Sequence, residues 1–452
     1  MSEELHKRLD EYIRSGALPM HMPGHKRNPA FTDTPGDITE IEGFDNLHSP
    51  QGIIRDIETK ASGIYGAADA FISVNGATGL IFAAIHAATF RGEKILVASN
   101  CHISVWHAIE TSGLIPVIID PETDEDTGAF GKVSPEALEE ALKAGDINTA
   151  VITTPTYEGV ISDTEKLYGI CRRYGCTLIA DESHGAHFGV CGNTKFPSSA
   201  HADMVIKSLH KTMASPTQTA VMLIYGDLPF KDLIRHYLAV STSTSPSYIL
   251  MSGISSALTH TDTDAFFDIV SEGRSALSAL KKLRLYDKAD TDPSKFVILT
   301  DGYISGYELS DRLREGYGIE VEASFPAYII AMTGIGDTRD SLKRFTGALI
   351  DIDRSLGERS EGPVNISYPA GKDRRFMLGI ENAVRSERAL VSADKAEGRM
   401  SAEYLFAYPP GIPVLIPGEV ITEDALKAIR DASHIKTDPF RDYDGSLFTV
   451  DI

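Results

Sequence analysis

From Ala70 to Gly226 the chain alternates short apolar runs with longer amphipathic ones. AFISVN, EKILVAS, LIPVIID, TAVITTPT and TLIAD read as buried strands. Between them, GATGLIFAAIHAATFRG, SVWHAIETSG, VSPEALEEALKAG and EKLYGICRRYG read as helices. The first is closed by Gly92, and the third has Ser134 as its N-cap with Pro135 at the first position. ADMVIKS and AVMLIYG follow as two more strands. Strands this apolar need cover on both faces, and a helix between successive strands makes the neighbours parallel. The pattern predicts an α/β fold, with a large domain over 66–285 built on a mostly parallel sheet flanked by helices. After residue 285 the texture changes. KFVILT, GIEVEAS and AYIIAMT read as strands among the helices GYELSDRLREG and DSLKRFTGALIDIDRSLG, a smaller α+β domain over 286–452. Residues 1–65 form an N-terminal arm of polar loops, HMPGHKRN and TEIEGFDNLHSPQG, of the kind a rigid scaffold presents for function.

The formal net charge is −21. Nucleic acid and anionic membrane both need a basic face, so neither is an expected partner. A cationic ligand would be drawn in by the long-range field, although charge by itself points first to solubility. There is no apolar run of membrane-spanning length, and MSEELHKRLDEYIRSG lacks the layout of a secretory signal. Cys101, Cys171, Cys176 and Cys191 are scattered, and CRRYGC has no second pair to close a zinc site. Buried free thiols in a reducing cytoplasm are the expectation, with no metal.

Chemistry concentrates at strand ends, where open α/β sheets bind their ligands. Gly76, Ala77 and Thr78 follow a strand and open a helix, which offers backbone N–H groups and a hydroxyl to an anion such as phosphate. The turn has neither the lysine-containing ending of a nucleotide P-loop nor a dinucleotide fingerprint, and on its own it reads sooner as a small-residue turn packed tightly between strand and helix. Asp181 ends TLIAD and needs a cation if it is to stay charged when buried. His184 and His187 nearby are poorly spaced for a metal site. Thirty residues after Asp181, Lys211 ends a strand in the otherwise small and hydroxylated SLHKTMASPTQTA. A desolvated lysine is a nucleophile toward carbonyls. A phosphate site, a carboxylate for a protonated ring nitrogen and a lysine for an aldehyde together meet the requirements of pyridoxal 5'-phosphate. His102, in NCHISVWH, is a candidate to stack on that ring, ahead of Trp106; a helix-capping or core histidine is the alternative.

With these pieces in place the chain resembles the ornithine/lysine/arginine decarboxylase family of pyridoxal-phosphate enzymes, which have the aspartate-aminotransferase fold, fold type I. The resemblance rests on MPGHK, GFDNLHSPQGII, YGAADAFISVNGATG, NCHISVWHA, TPTYEGV, ADESHGAHFG, SLHKT and YPPGIPVLIPGE. It implies that Lys211 is the Schiff-base lysine, Asp181 the partner of the ring nitrogen and His102 the stacking group. It further implies that Ala77, Thr78, Ser208 and His210 hold the phosphate, and that His184 lies near the ring or its 3-hydroxyl. Three departures stand out: Ala77 replaces the usual hydroxyl residue, DESHG the commoner DEAHG, and ENAVRSERALV departs in the C-terminal domain. The chain resembles the short form of the family.

The expected activity is decarboxylation of arginine, lysine or ornithine, with arginine favoured, to a polyamine precursor and carbon dioxide. His102 or Lys211 would return the proton to Cα. Asp45, Glu322 and Glu419 are candidate acceptors for the substrate's distal cation. In this fold the site usually forms between two subunits of a homodimer. His25, Lys26, Asp45, His48 and Thr217 are therefore expected to act across that interface. Two other readings stay open. One is another fold type I enzyme, such as an aminotransferase, for which Arg374, Arg375, Arg385, Arg388 and Arg399 offer carboxylate clamps. The other is a cofactor-binding paralogue without turnover.

Overall fold

The computed structural model describes residues 4–192, 195–359, 374–431, 434–438 and 441–451. Seven strands make up the largest sheet: β1 (Asp69–Ser73), β2 (Lys94–Ala98), β3 (Ile115–Ile119), β4 (Ile147–Thr153), β5 (Thr177–Asp181), β6 (Met204–Ser208) and β7 (Ala220–Ile224). Their order is β1-β7-β6-β5-β4-β2-β3. β2 runs parallel to β3 and β4, and β5 parallel to β6, while β7 is antiparallel to both its neighbours. The expected mostly parallel sheet is present. Its antiparallel member follows β6 after a connection too short for a crossover helix.

By its internal contacts the chain divides into two compact units. One holds Met1–Ala88, Ile179–Phe267 and Gly334–Gly336; the other holds Thr89–Leu178, Asp268–Thr333 and Asp337–Ile452. In the first unit every residue of β1, β6 and β7 is buried. The helix Gly76–Ala88 is apolar nearly all round. It buries Leu80, Ile81, Ala83, Ala84 and Ile85 and packs against β6, β7 and the helix Lys231–Ser241. This helix was expected to run to Gly92 but stops at Ala88, and Gly92 instead takes a left-handed conformation in the next turn.

In the second unit, Ser134 caps the helix Pro135–Lys143 by accepting from Ala137 N–H, with Pro135 at its start. A four-stranded antiparallel sheet combines β8 (Arg284–Leu285), β9 (Lys295–Leu299), β10 (Ala323–Ser324) and β11 (Tyr328–Met332) in the order β10-β11-β9-β8. GIEVEAS was expected to be a strand, but only Ala323 and Ser324 pair, across a tight hairpin with Ile330 and Ile329. Further on, β12 (Arg388–Ser392) pairs with β17 (Ser446–Val450). A second four-stranded sheet takes β13 (Leu405–Ala407), β14 (Ile412–Leu415), β15 (Ile435–Thr437) and β16 (Arg441–Asp442). Leu405, Val414, Leu415, Leu426, Ile429 and Leu447 form its core.

Cys101, Cys171 and Cys176 are buried free thiols, whereas Cys191 is exposed, contrary to expectation. It lies on the turn after Gly189, where the chain leaves the core. Among the described residues no helix is long and apolar enough to cross a membrane, and no cluster of His, Cys, Asp and Glu could hold a metal ion.

Candidate active site

In the first unit, the register of β5 against β6 sets Asp181 opposite Ile206, so Asp181 and Ser208 both lie at the carboxyl ends of strands. Lys211 stands just beyond, on the single turn Leu209–Thr212 rather than on the strand itself. Its Nζ is 2.8 Å from His184 Nε2. His184 is buried, and Asp181 is only 4 % exposed. Ser183 donates to Asp181 Oδ1 from its N–H at 3.1 Å and from its hydroxyl at 2.5 Å. Burial pushes the Asp181 carboxyl above the usual carboxylate range, against the opposing pull of Ser183 and of the Lys211 charge.

Gly76 opens its helix with φ near +65°, a conformation that glycine adopts without strain, and its N–H donates to Gln218 O at 2.8 Å. Ala77 and Thr78 follow on the first turn, and Thr78 is exposed. His210 Nδ1 lies 3.1 Å from Thr219 O, and burial lowers its pKa. Thr219 in turn donates to Pro216 O at 2.6 Å, which shapes the turn that exposes Thr217. The hydroxyl oxygen of Thr212, next to Lys211, is buried without a hydrogen-bond partner.

The arm is held by polar contacts of its own. His25 Nε2 is 3.4 Å from Asp37 Oδ2, and His25 Nδ1 accepts from Arg27 N–H. Lys26 donates to His21 O, and His48 Nε2 lies 3.0 Å from Ser243 O. Asp45, a candidate substrate acceptor, accepts backbone N–H bonds from Asn46, Gln51, Gly52 and Ile54 at 2.8 to 3.2 Å. These bonds hold its carboxyl below the usual range despite partial burial. Asp45 is thus a loop and helix cap here.

In the second unit, His102 is the N-cap of the helix Ile103–Ser112, its Nδ1 accepting from Ser104 N–H at 3.2 Å. Gly411, with φ near +99°, packs so close that a Cβ there would lie 3.0 Å from the His102 ring. Trp106 is core, 1 % exposed. Tyr157 donates to Glu322 Oε1 at 2.9 Å, and Glu322 is exposed. Glu419 is not free to receive a substrate: it forms a buried ion pair with Arg374 at 2.8 Å and accepts from Ile416 N–H. That pair also removes Arg374 from the candidate carboxylate clamps. Arg385 reaches Glu381 at 3.4 Å, and Arg388 covers the Phe448 ring.

Sequence reading missed two features. Glu158, in TPTYEGV, is buried and accepts from Tyr328 hydroxyl at 2.9 Å. Lys207 and Glu182 form an ion pair in the first unit with both side chains nearly inaccessible. The signal for the second was a lysine inside the apolar run DMVIKS beside a second acid after Asp181.

The chain is similar to known proteins in sequence and in fold. A sequence model of the major domain of Orn/Lys/Arg decarboxylases matches residues 4–284, and that of their C-terminal domain matches 378–434. The chain is 32 % identical to an arginine decarboxylase of Halalkalibacterium halodurans over 93 % of this chain and 91 % of that one. Among solved structures it is similar to the E. coli constitutive lysine decarboxylase, with a TM-score of 0.80, 17 % identity and coverage of 99 % and 82 % of the two chains. It is also similar to the ureidoglycine-glyoxylate aminotransferase of Bacillus subtilis, with a TM-score of 0.56, 14 % identity and coverage of 71 % and 88 %. The fold is therefore shared across reaction types, and the sequence match is what narrows it. With both of its domains matched in order along the sequence, the chain belongs to the Orn/Lys/Arg decarboxylase family.

Proposed function

We propose that this protein is a pyridoxal-phosphate-dependent carboxy-lyase acting on a basic amino acid, with arginine as the favoured substrate. The observation that carries the proposal is the arrangement of the buried Asp181 and His184 with the half-buried Lys211. The residues fit the cofactor. Asp181 is a buried acid at a strand end whose hydrogen bonds come from Ser183, and a pyridinium N–H would give it a charged partner. Gly76, Ala77 and Thr78 would turn the N-terminus of a 13-residue helix toward the phosphate, with Ser208 and His210 beside it. Bound there, pyridoxal 5'-phosphate would supply an aldehyde for the substrate amine and a ring that takes up the electron pair left on Cα when carbon dioxide departs. Lys211 presents the amine that holds the cofactor, and His184 keeps a proton within reach of that amine. His102 is the proposed stacking group.

For the substrate's distal cation, Glu322 is favoured over Asp45. Its carboxylate is exposed and oriented by one tyrosine hydroxyl, whereas Asp45 is committed to backbone donors. His25 is proposed to line the substrate's path. The arm exposes Leu18, Met20, Met22 and Phe31, which fits burial against a second copy of the chain in a homodimer. Arginine is favoured because the relative at 32 % identity carries that name, while the lysine decarboxylase fold match is at 17 %.

The test is an absorbance spectrum of the purified protein with pyridoxal phosphate, followed by arginine, lysine and ornithine in turn while carbon dioxide is recorded. A visible band that disappears in Lys211→Ala, with gas from arginine, is the expected result. A band with an oxo-acid and no gas would favour the aminotransferase chemistry of the same fold. No band would overturn the cofactor assignment.

A further inference from the structure

Asp181 and Glu182 are adjacent and buried, and two lysines, Lys207 and Lys211, stand four residues apart on the neighbouring segment. The charges sort into two sets. Lys207 is wholly buried and gives Nζ to Glu182, to Gly185 O at 2.9 Å and to Phe188 O at 3.1 Å, which uses all three donors of an ammonium. Glu182 also accepts from Ser199 hydroxyl and Ala200 N–H, both at 2.8 Å. Tyr65 lies under the Lys207 ammonium, with its ring centroid 5.0 Å away, and donates to Ala186 O at 2.7 Å. The loop between Glu182 and Phe188 is thus tied on both sides of His184. Gly185 is part of the fit, since a Cβ there would lie 2.7 to 2.8 Å from the Phe188 and Glu182 side chains.

We infer that Lys207 is a positioning residue: by clamping Glu182 and the carbonyls of Gly185 and Phe188, it holds His184 against Lys211 and keeps Glu182 from competing for the Lys211 ammonium. Nothing in this requires Lys207 to touch substrate or cofactor. Its consequence for turnover rests on the cofactor reading above, while the clamp itself does not. A buried ion pair that served stability alone could be replaced by neutral side chains of similar volume at little cost. A clamp could not, because the two carbonyls would lose their donor.

The test uses His184→Gln, the double variant Lys207→Met with Glu182→Gln, and the triple combination. In apoprotein, the rate at which an amine-reactive ester labels Lys211 is read by peptide mass spectrometry. In protein loaded with pyridoxal phosphate, visible circular dichroism is read. Melting temperatures accompany both. Expected is a change in Lys211 labelling of about threefold or more in His184→Gln and in the double variant, with no further change in the triple, as for groups acting in series. The circular dichroism band should change in the same variants. Should the double variant fail to fold, Glu182→Gln alone takes its place, with a smaller change in the same direction expected. Unchanged labelling in a folded double variant, unchanged labelling in His184→Gln, or factors that multiply in the triple would each overturn the inference. A wild-type protein without a visible band would remove the cofactor reading and leave the labelling comparison to decide the clamp.

Discussion

Arg374 and Glu419 have side chains only 3 % exposed, and each neutralises the other. Desolvation pushes the Glu419 carboxyl up, and Arg374 with Ile416 N–H pulls it back. Removing one partner of such a pair is expected to cost about 3–5 kcal/mol, because the other charge is left buried. Arg374→Met should therefore lower the urea midpoint sharply, and adding Glu419→Gln should restore most of the loss. Equal midpoints for wild type and Arg374→Met would mean that the pair contributes nothing. At this scale the sequence was only partly legible. An acid in PGE looks the same whether it faces a substrate or an arginine, and only the fold brings residues 374 and 419 together.

Elements are joined by single polar side chains that satisfy helix ends. Ser134, Asp163 and Thr338 each accept an N–H from the first turn of their helices. Asp45 does this from a distance along the chain, holding the turn that starts the helix Ile53–Tyr65 while its own backbone sits at φ near +65°. Its pKa is lowered in the folded protein. The charged form is therefore the folded form, and the stabilisation is present above the ordinary aspartate range. It is lost as pH falls through the depressed folded value. Asp45→Asn should be less stable than wild type by about 1 kcal/mol at neutral pH. The gap should narrow as the pH falls below the ordinary aspartate value, as measured by urea unfolding at pH values of about 7 and 3. A gap that stays constant with pH would assign the effect to shape rather than charge.

Across the whole molecule the net charge of −21 becomes meaningful once the substrate is a cation. The field should gather a basic amino acid and raise the rate of productive encounter, and salt should screen it. For whichever basic amino acid is turned over, kcat/KM should fall several-fold between about 20 and 300 mM salt while kcat changes little. A salt-independent kcat/KM would show that the charge serves solubility alone.

Alternation of apolar strands with helices, from Ala70 to Gly226, was enough to predict the sheet, because strands buried on both faces read as short continuous apolar runs set between amphipathic helices. The position of Asp181 at the end of a strand was legible too, whereas Lys211 lies on the short turn beyond its strand and Gly76 opens a helix. The tertiary structure decided which charges pair. It bound Asp45 to backbone donors and Glu419 to Arg374, and put Lys207 against Glu182. The physical reason is that pattern reports whether a side chain is buried. The partner that makes its burial tolerable comes from wherever the fold happens to bring the chain back.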